Sequence, residues 1–419
     1  MLRKAQIPMI LAGMLILSSV QSLAVSTVAV GTCLPAYPHF FTIQSAINAS
    51  PLGGTVLVCP GVYPEKLSIF HPLTLRGVDS GGSNLALITM PTNGIGTQIY
   101  VQATNVNISD LTIDGSNNGA TGCGQGPNGI YYFLSSGTIN HVAIRNEIPS
   151  GAGLQNCFDG DGIYVATDNQ GASNVTIENS SIHAFQRNGI EAYARGTSVN
   201  LLKNSIGGNT VGPAGNGIAV WFGASGNVSN NSVINVLEPV SYPNRGGAGF
   251  GIIVECSQGV TISGNTIGDT QLGIDVESSF CTAQTGNADA NTILKNSISQ
   301  THIFDAVYVC GNFNLVEGNT INSTSEAAVR FDDGCNPGVS GTSNTFITNT
   351  VNEACTTALI DPVVSGANTI GSNNSYSVFF DQLFGTTVTG GFCSTSIAPA
   401  SRLGGRATQL RRAPTPVVR

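Results

Sequence analysis

Several familiar signatures are absent from the 419 residues. No two cysteines are spaced Cys-x-x-Cys, which argues against zinc-ribbon and dithiol redox chemistry. There is no Gly-x-Ser-x-Gly elbow and no phosphate-binding loop, although glycine is abundant at 52 residues. Tryptophan occurs once, at Trp221, and only 10% of the residues are charged. Basic charge is scarcest where a nucleic-acid binder would need it. Between residues 25 and 396 nine Lys and Arg stand against 24 Asp and Glu, a net charge of −15. Nucleic acid is held by neutralising its phosphates, so no nucleic-acid partner is expected. Other polyanions should also be repelled unless a cation or a local basic cluster intervenes.

After the first 24 residues no apolar run is long enough to span a bilayer. Those 24 residues have the layout of a secretory signal: Arg3 and Lys4, an apolar stretch Ile7 to Val20, then Ser22-Leu23-Ala24 with cleavage expected after Ala24. A membrane anchor is the competing reading, and the run is short for one. The mature protein is expected to be secreted, extracellular or periplasmic, with no membrane insertion. All ten cysteines follow the signal, and an even number in an oxidising compartment predicts disulfides. The tail 397–419 carries five arginines and no acid. It has no apolar period and is expected to be disordered.

What the chain does contain is a repeat. One unit opens with a small residue and an aliphatic one: Gly129-Ile130, Gly162-Ile163, Gly189-Ile190, Gly217-Ile218, Gly251-Ile252, Gly273-Ile274, Ala306-Val307, Ala328-Val329 and Ala358-Leu359. A second unit follows as aliphatic alternation and Asn-x-aliphatic, as in Val260-Thr-Ile262-Ser-Gly-Asn265-Thr-Ile267. Period-2 runs of Val and Ile predict strands, and Gly, Asn and Ser keep them short. Many short strands at a recurring period predict a solenoid in which each rung pairs with its neighbours. The fold expected is all-β, a right-handed parallel β-helix over 25–396. The recurrent Asn is expected to stack as an internal amide ladder at a turn and to take the left-handed conformation there. Sequons such as Asn174-Val-Thr and Asn322-Ser-Thr are read as turn chemistry. The apolar spacing of Phe41-Thr-Ile43-Gln-Ser-Ala46-Ile47 predicts a short amphipathic helix capping the open end.

The opening Thr42-Ile-Gln44-x-Ala46-Ile47, Val56-Leu-Val58-x-Pro-Gly61-x-Tyr63-x-Glu65 and Leu73-Thr-Leu75-Arg-Gly77 resembles that of pectin-lyase-like right-handed β-helix proteins. With the later repeats, the resemblance covers about residues 40 to 390. It implies the fold, and no single activity, because lyases, hydrolases, esterases, epimerases and non-enzymes share that fold. The Asn-Thr-Asp and Gly-His-Gly motifs of polygalacturonases are missing. So are the Gln-Asp-Thr motif of pectin methylesterases and the Asp-Pro-His-Asp of alginate epimerases. Phe331-Asp-Asp333-Gly matches the paired aspartates of polygalacturonases over two residues only.

If each Ile points inward, alternation defines an outer face. Its first column is Tyr131, Tyr164, Glu191, Ala219, Ile253, Asp275, Tyr308 and Arg330. Its second is Phe133, Ala166, Tyr193, Trp221, Glu255, Glu277, Cys310 and Asp332. Exposed aromatics beside carboxylates suit a sugar-binding groove: Glu191, Tyr193, Trp221, Tyr308, Arg330 and Asp332 are the candidate substrate contacts. Glu255, Asp275 and Glu277 are the candidate catalytic carboxylates. Neighbouring rungs lie ~4.8 Å apart and alternate residues of a strand ~6.6 Å, near the spacings glycosidases use. The competing reading is a polar exterior serving solubility, with Arg330 and Asp332 a surface ion pair.

The function expected is therefore polysaccharide or cell-surface glycan binding, with cleavage by a hydrolase as its stronger form. The alternatives are a non-catalytic glycan-binding protein and a structural, adhesin-like one. No cofactor is required. Asp159-Gly-Asp161-Gly offers oxygen ligands for calcium, or is a glycine-rich turn. His183 with Arg187 and His302 with Asp305 are further acid–base pairs, or turn residues. Cys33–Cys59 and Cys123–Cys157 are candidate disulfides, and spacing does not fix the connectivity. Cys256–Cys281 with Cys310–Cys335 competes with Cys281–Cys310.

Overall fold

A computed structural model describes residues 26–376 apart from short segments at 79–84, 152–153, 155–156, 209–214, 238–248, 337–338, 353, 355–357 and 362–366. The expected signal segment 1–24, the tail 397–419 and the cysteines Cys355 and Cys393 lie outside the described residues. Among the described residues the chain forms 37 short strands and one helix, α1 (Ile43–Ala49). The strands make three parallel sheets of 14, 12 and 11 strands. One coil shows the plan: Asn188–Tyr193 lies in the 11-stranded sheet, Thr197–Leu202 in the 14-stranded sheet and Ser205–Gly207 in the 12-stranded sheet. The chain then returns as Asn216–Trp221 beside its starting strand. This is the right-handed parallel β-helix expected from the repeat.

The interior is a column of aliphatic side chains. In the 11-stranded sheet Ile99, Ile130, Ile163, Ile190, Ile218, Ile252, Ile274, Val307, Val329 and Leu359 stack in register, and all but Leu359 (4%) are 0% exposed. The glycine before the isoleucine also faces inward. A Cβ on Gly189 would lie 2.7 Å from Ile206 Cγ2 and 3.0 Å from Phe185 Cε1. The small residue of the repeat therefore marks a close approach at a corner between sheets.

The amide ladder forms where it was expected. Asn204, Asn231, Asn265, Asn296, Asn319 and Asn349 pass Nδ2–H to Oδ1 hydrogen bonds from coil to coil at 2.9–3.0 Å. The left-handed residue is the preceding one, not the Asn: Lys203, Asn230, Gly264, Lys295, Gly318 and Thr348 all have φ between 54° and 66°. The ladder Asn keeps its ordinary backbone so that its amide can point inward and its N–H can meet the next Oδ1.

Helix α1 covers one end of the coil with Ile43, Ala46 and Ile47. Thr42 caps it, and Glu65 accepts from the N–H groups of Ile43 and Gln44 at 2.8 and 3.0 Å. Among the described residues four disulfides link successive coils: Cys33–Cys59, Cys123–Cys157, Cys256–Cys281 and Cys310–Cys335. Among the described residues no helix is long and apolar enough to cross a membrane.

Candidate functional site

The outer face of the 11-stranded sheet has the register read from the sequence. Tyr100, Tyr131, Tyr164, Glu191, Ala219, Ile253, Asp275, Tyr308 and Arg330 stack coil upon coil. Beside them run Phe133, Ala166, Tyr193, Trp221, Glu255, Glu277 and Cys310.

Exposure departs from expectation. Trp221 is 1% exposed, Glu191, Glu255 and Asp275 0%, Glu277 2% and Tyr308 6%. These side chains point out of the coil but not into solvent. Ala219, Trp221, Phe250, Ile253, Leu272, Tyr308, Cys310 and Val339 form a second apolar cluster outside the coil. Half-buried Phe158, Tyr193, Phe222, Phe304 and Cys335 pack against it. Alternation shows which way a side chain leaves the strand. It does not show that loops will return and cover it.

The paired groups also differ. Arg330 bonds Asp305 at 2.9 Å and lies 3.7 Å from Glu326, while Asp332 accepts from the Tyr308 hydroxyl at 3.0 Å. The expected Arg330–Asp332 pair is thus replaced by Asp305 and Tyr308 from the preceding coil, with Glu326 four residues before Arg330. His302 meets Asp269 at 2.5 Å. His183 does not pair with Arg187, which turns to the outer face instead.

Arg187 is the residue that spacing did not single out for this face. Its guanidinium lies 3.4 Å from Asp161 and 3.2 Å from Glu191, all three nearly inaccessible to solvent. It also sits 5.4 Å from the Trp221 ring and 5.7 Å from that of Phe158. Asn188 donates from its side chain to Asp161 at 3.1 Å and also bonds Glu191. Asn216 donates to Asn188 in turn at 2.7 Å. The residue before the first four Gly-Ile units, namely Asn128, Asp161, Asn188 and Asn216, forms its own outward row, which Phe250 and Leu272 continue on the next two coils. That Asn/Asp-Gly-Ile pattern is present in the sequence and was the available signal.

Burial pushes the Glu191 and Asp161 carboxyls up against the pull of Arg187; the Asp161 charge raises Glu191 further, and the Asp159 charge raises Asp161. Two acids sharing one cation in a dry place hold a proton more readily than either would in water. Burial and the Glu191 charge also keep the Tyr131 and Tyr164 phenols protonated. Asp161 is engaged by Arg187 and Asn188, and Asp159 accepts from Gly126 N–H at 2.6 Å. The proposed calcium loop thus has other partners for its oxygens. Among the described residues no group of three or more His, Cys, Asp and Glu side chains converges as a metal site.

The second feature is a continuous aromatic track. Ring centroids step from Phe70 to Tyr100 (6.1 Å), Tyr131 (5.5 Å), Tyr164 (4.6 Å, stacked), Tyr193 (6.3 Å) and Phe222 (5.5 Å). Trp221 closes it 6.3 Å from Phe222. Phe70 is 63% exposed. Tyr100, Tyr131, Tyr193 and Phe222 are half-buried and offer ring surface, while Tyr164 between them is 6% exposed and serves as the packed ring that joins the two parts of the line.

No family model matches the chain, and no curated protein matches it in sequence. Solved structures do match. A tailspike double mutant of E. coli bacteriophage HK620, in complex with a pentasaccharide, is 10% identical with a TM-score of 0.55, over 84% of this chain and 67% of that one. The mannuronan C-5 epimerase AlgE4 A-module of Azotobacter vinelandii is 16% identical with a TM-score of 0.48, over 83% and 95%. The periplasmic alginate epimerase AlgG is 13% identical with a TM-score of 0.48, over 78% and 77%. At such identities the likeness is one of fold.

Proposed function

We propose that this is a secreted polysaccharide-binding β-helix whose binding surface is the aromatic track on the outer face of the 11-stranded sheet. The track itself carries the reading: five ring contacts in line along the coil axis, from Phe70 to Phe222, bordered by Tyr hydroxyls and by the Asn188–Glu191–Arg187 network. Aromatic faces pack on the C–H surface of sugars, and neighbouring polar groups take the hydroxyls. The tailspike of similar fold, in complex with a pentasaccharide, supports a glycan ligand for a surface of this kind. The four disulfides support an oxidising compartment.

Retention on a panel of immobilised polysaccharides tests this. Tyr131→Ala removes the ring in contact with both Tyr100 and Tyr164. An aromatic contact is worth roughly 0.5–1.5 kcal/mol, so affinity should fall about 2- to 10-fold. Undiminished binding by Tyr131→Ala would remove the track from the ligand's path.

Hydrolysis is the second reading, favoured by the side-by-side register of Glu255 and Glu277 with Asp275 on the same strand. It requires access that these carboxylates lack in this conformation. Sugar release that survives in Glu255→Gln and Glu277→Gln would exclude them as the catalytic pair.

A further inference from the structure

The track is open at one end and walled at the other. At the open end Phe70 is 63% exposed, and Tyr100 and Tyr131 follow as half-buried rings. At the other end Phe222 is the last ring of the line. Its N–H donates to the carbonyl of Glu255 on the next strand, at 2.9 Å. There the surface closes: Glu255 and Cys256 are both 0% exposed.

The wall is a loop that folds back. The strand Leu272–Glu277 lies two coils beyond Asn216–Trp221. Yet the chain after Glu277 returns far enough that a Cβ on Gly223 would lie 3.4 Å from the Thr285 carbonyl oxygen. The Cys256–Cys281 disulfide ties this loop to the intervening coil. A second loop braces it: Asn336 donates to the Cys281 carbonyl at 3.4 Å, and Cys310–Cys335 anchors that loop in turn. Val339 of the same loop packs into the apolar cluster outside the coil. A covalently tied loop is a fixed stop, and the buried side chains beyond it cannot serve as further subsites.

We infer that the track receives the end of a glycan chain rather than an internal stretch, the chain lying from Phe70 toward Phe222 with its terminus against the 278–286 loop. An internal stretch would need the groove to continue past Phe222, where the outward positions are sealed. This rests on the polysaccharide-binding reading above.

Binding stoichiometry separates the two modes. Size-fractionated dextran, laminarin, xylan, galactomannan, alginate and polygalacturonate would each be titrated into the full-length protein by calorimetry, with Tyr131→Ala in parallel. End recognition predicts that the number of proteins bound per linear chain stays constant as chain length increases. It also predicts that affinity per chain end is unchanged with length. Protein bound per chain rising in proportion to length, with affinity lost in Tyr131→Ala, would overturn end recognition while leaving the track as a glycan site. Binding unaffected in Tyr131→Ala, or no binding to any fraction, would overturn the polysaccharide reading and the end-recognition inference with it.

Discussion

Asp161, Arg187 and Glu191 place two carboxyls around one guanidinium where solvent hardly reaches. Asn188 and the rings of Trp221 and Phe158 complete its surroundings. Removing one partner of such a network strands the other charges, which typically costs roughly 3–5 kcal/mol. Arg187→Ala should therefore lower the urea midpoint by an amount corresponding to about that loss, measured by circular dichroism. Near-normal stability would show that Arg187 is dispensable to this face. Glu147 is a different case, a glutamic acid 0% exposed inside the coil with no hydrogen-bond partner for either oxygen. Burial, then the charges of Asp114 and Asp161, push its carboxyl well above the usual range. The folded state then holds the proton more tightly than the unfolded chain. Its stability is greatest below the unfolded carboxylate pKa and declines as pH rises from that value toward the folded one. Glu147→Gln should flatten that decline in urea midpoints measured across neutral pH. A decline as steep as in the wild type would assign it to Asp161 and Glu191, whose carboxyls shift in the same direction.

At the scale of the element, the strand of the 11-stranded sheet obeys two constraints at once. Its outward residues follow alternation, while its first Gly and the next Ile both face inward. The glycine is there because of what lies opposite. A Cβ on Gly189 would meet the Gly217 carbonyl oxygen at 2.6 Å as well as the Ile206 methyl. Inserting a carbon into a filled corner typically costs 1–3 kcal/mol, so Gly189→Ala should lower thermal stability by about that much. An unchanged melting curve would mean that the corner yields freely. The ladder turns follow a similar logic. The residue before each Asn absorbs the left-handed geometry, so that the Asn amide can serve the turn above and the turn below. Those positions tolerate Lys203, Lys295 and Thr348 as well as glycine, which is why the ladder is visible as recurring Asn and not as recurring Gly.

On the whole molecule, charge is distributed against one class of ligand. The body between 25 and 396 carries −15, and on the candidate face Arg187 and Arg330 are already bound to carboxylates. A polyuronate would approach like charge. Alginate and polygalacturonate should bind more weakly than uncharged polysaccharides at low ionic strength. The gap should narrow as salt is added, because screening relieves repulsion. Binding of alginate that weakens with added salt would instead indicate a cationic subsite.

The architecture was legible because a solenoid repeats one local rule. An inward aliphatic residue every coil, Asn at one turn from Asn204 onward and a capping segment at Ile43–Ala49 are short-range patterns, and the sequence by itself determined the coil, its register and the row of residues that leave it outward. It offered Cys33–Cys59 and Cys123–Cys157 as candidate pairings that the folded chain makes, and left Cys256–Cys281 with Cys310–Cys335 undecided against a rival. Tertiary structure alone decided what happens beyond the coil. Loops of irregular length carry no period, so nothing local announced that they would bury Trp221, Glu255, Asp275 and Glu277. Nor did spacing show that Arg187 would turn to Glu191 and Asp161, or that Arg330 would choose Asp305 over Asp332. Burial and pairing depend on which segments meet across the face, and only the folded chain brings those segments together.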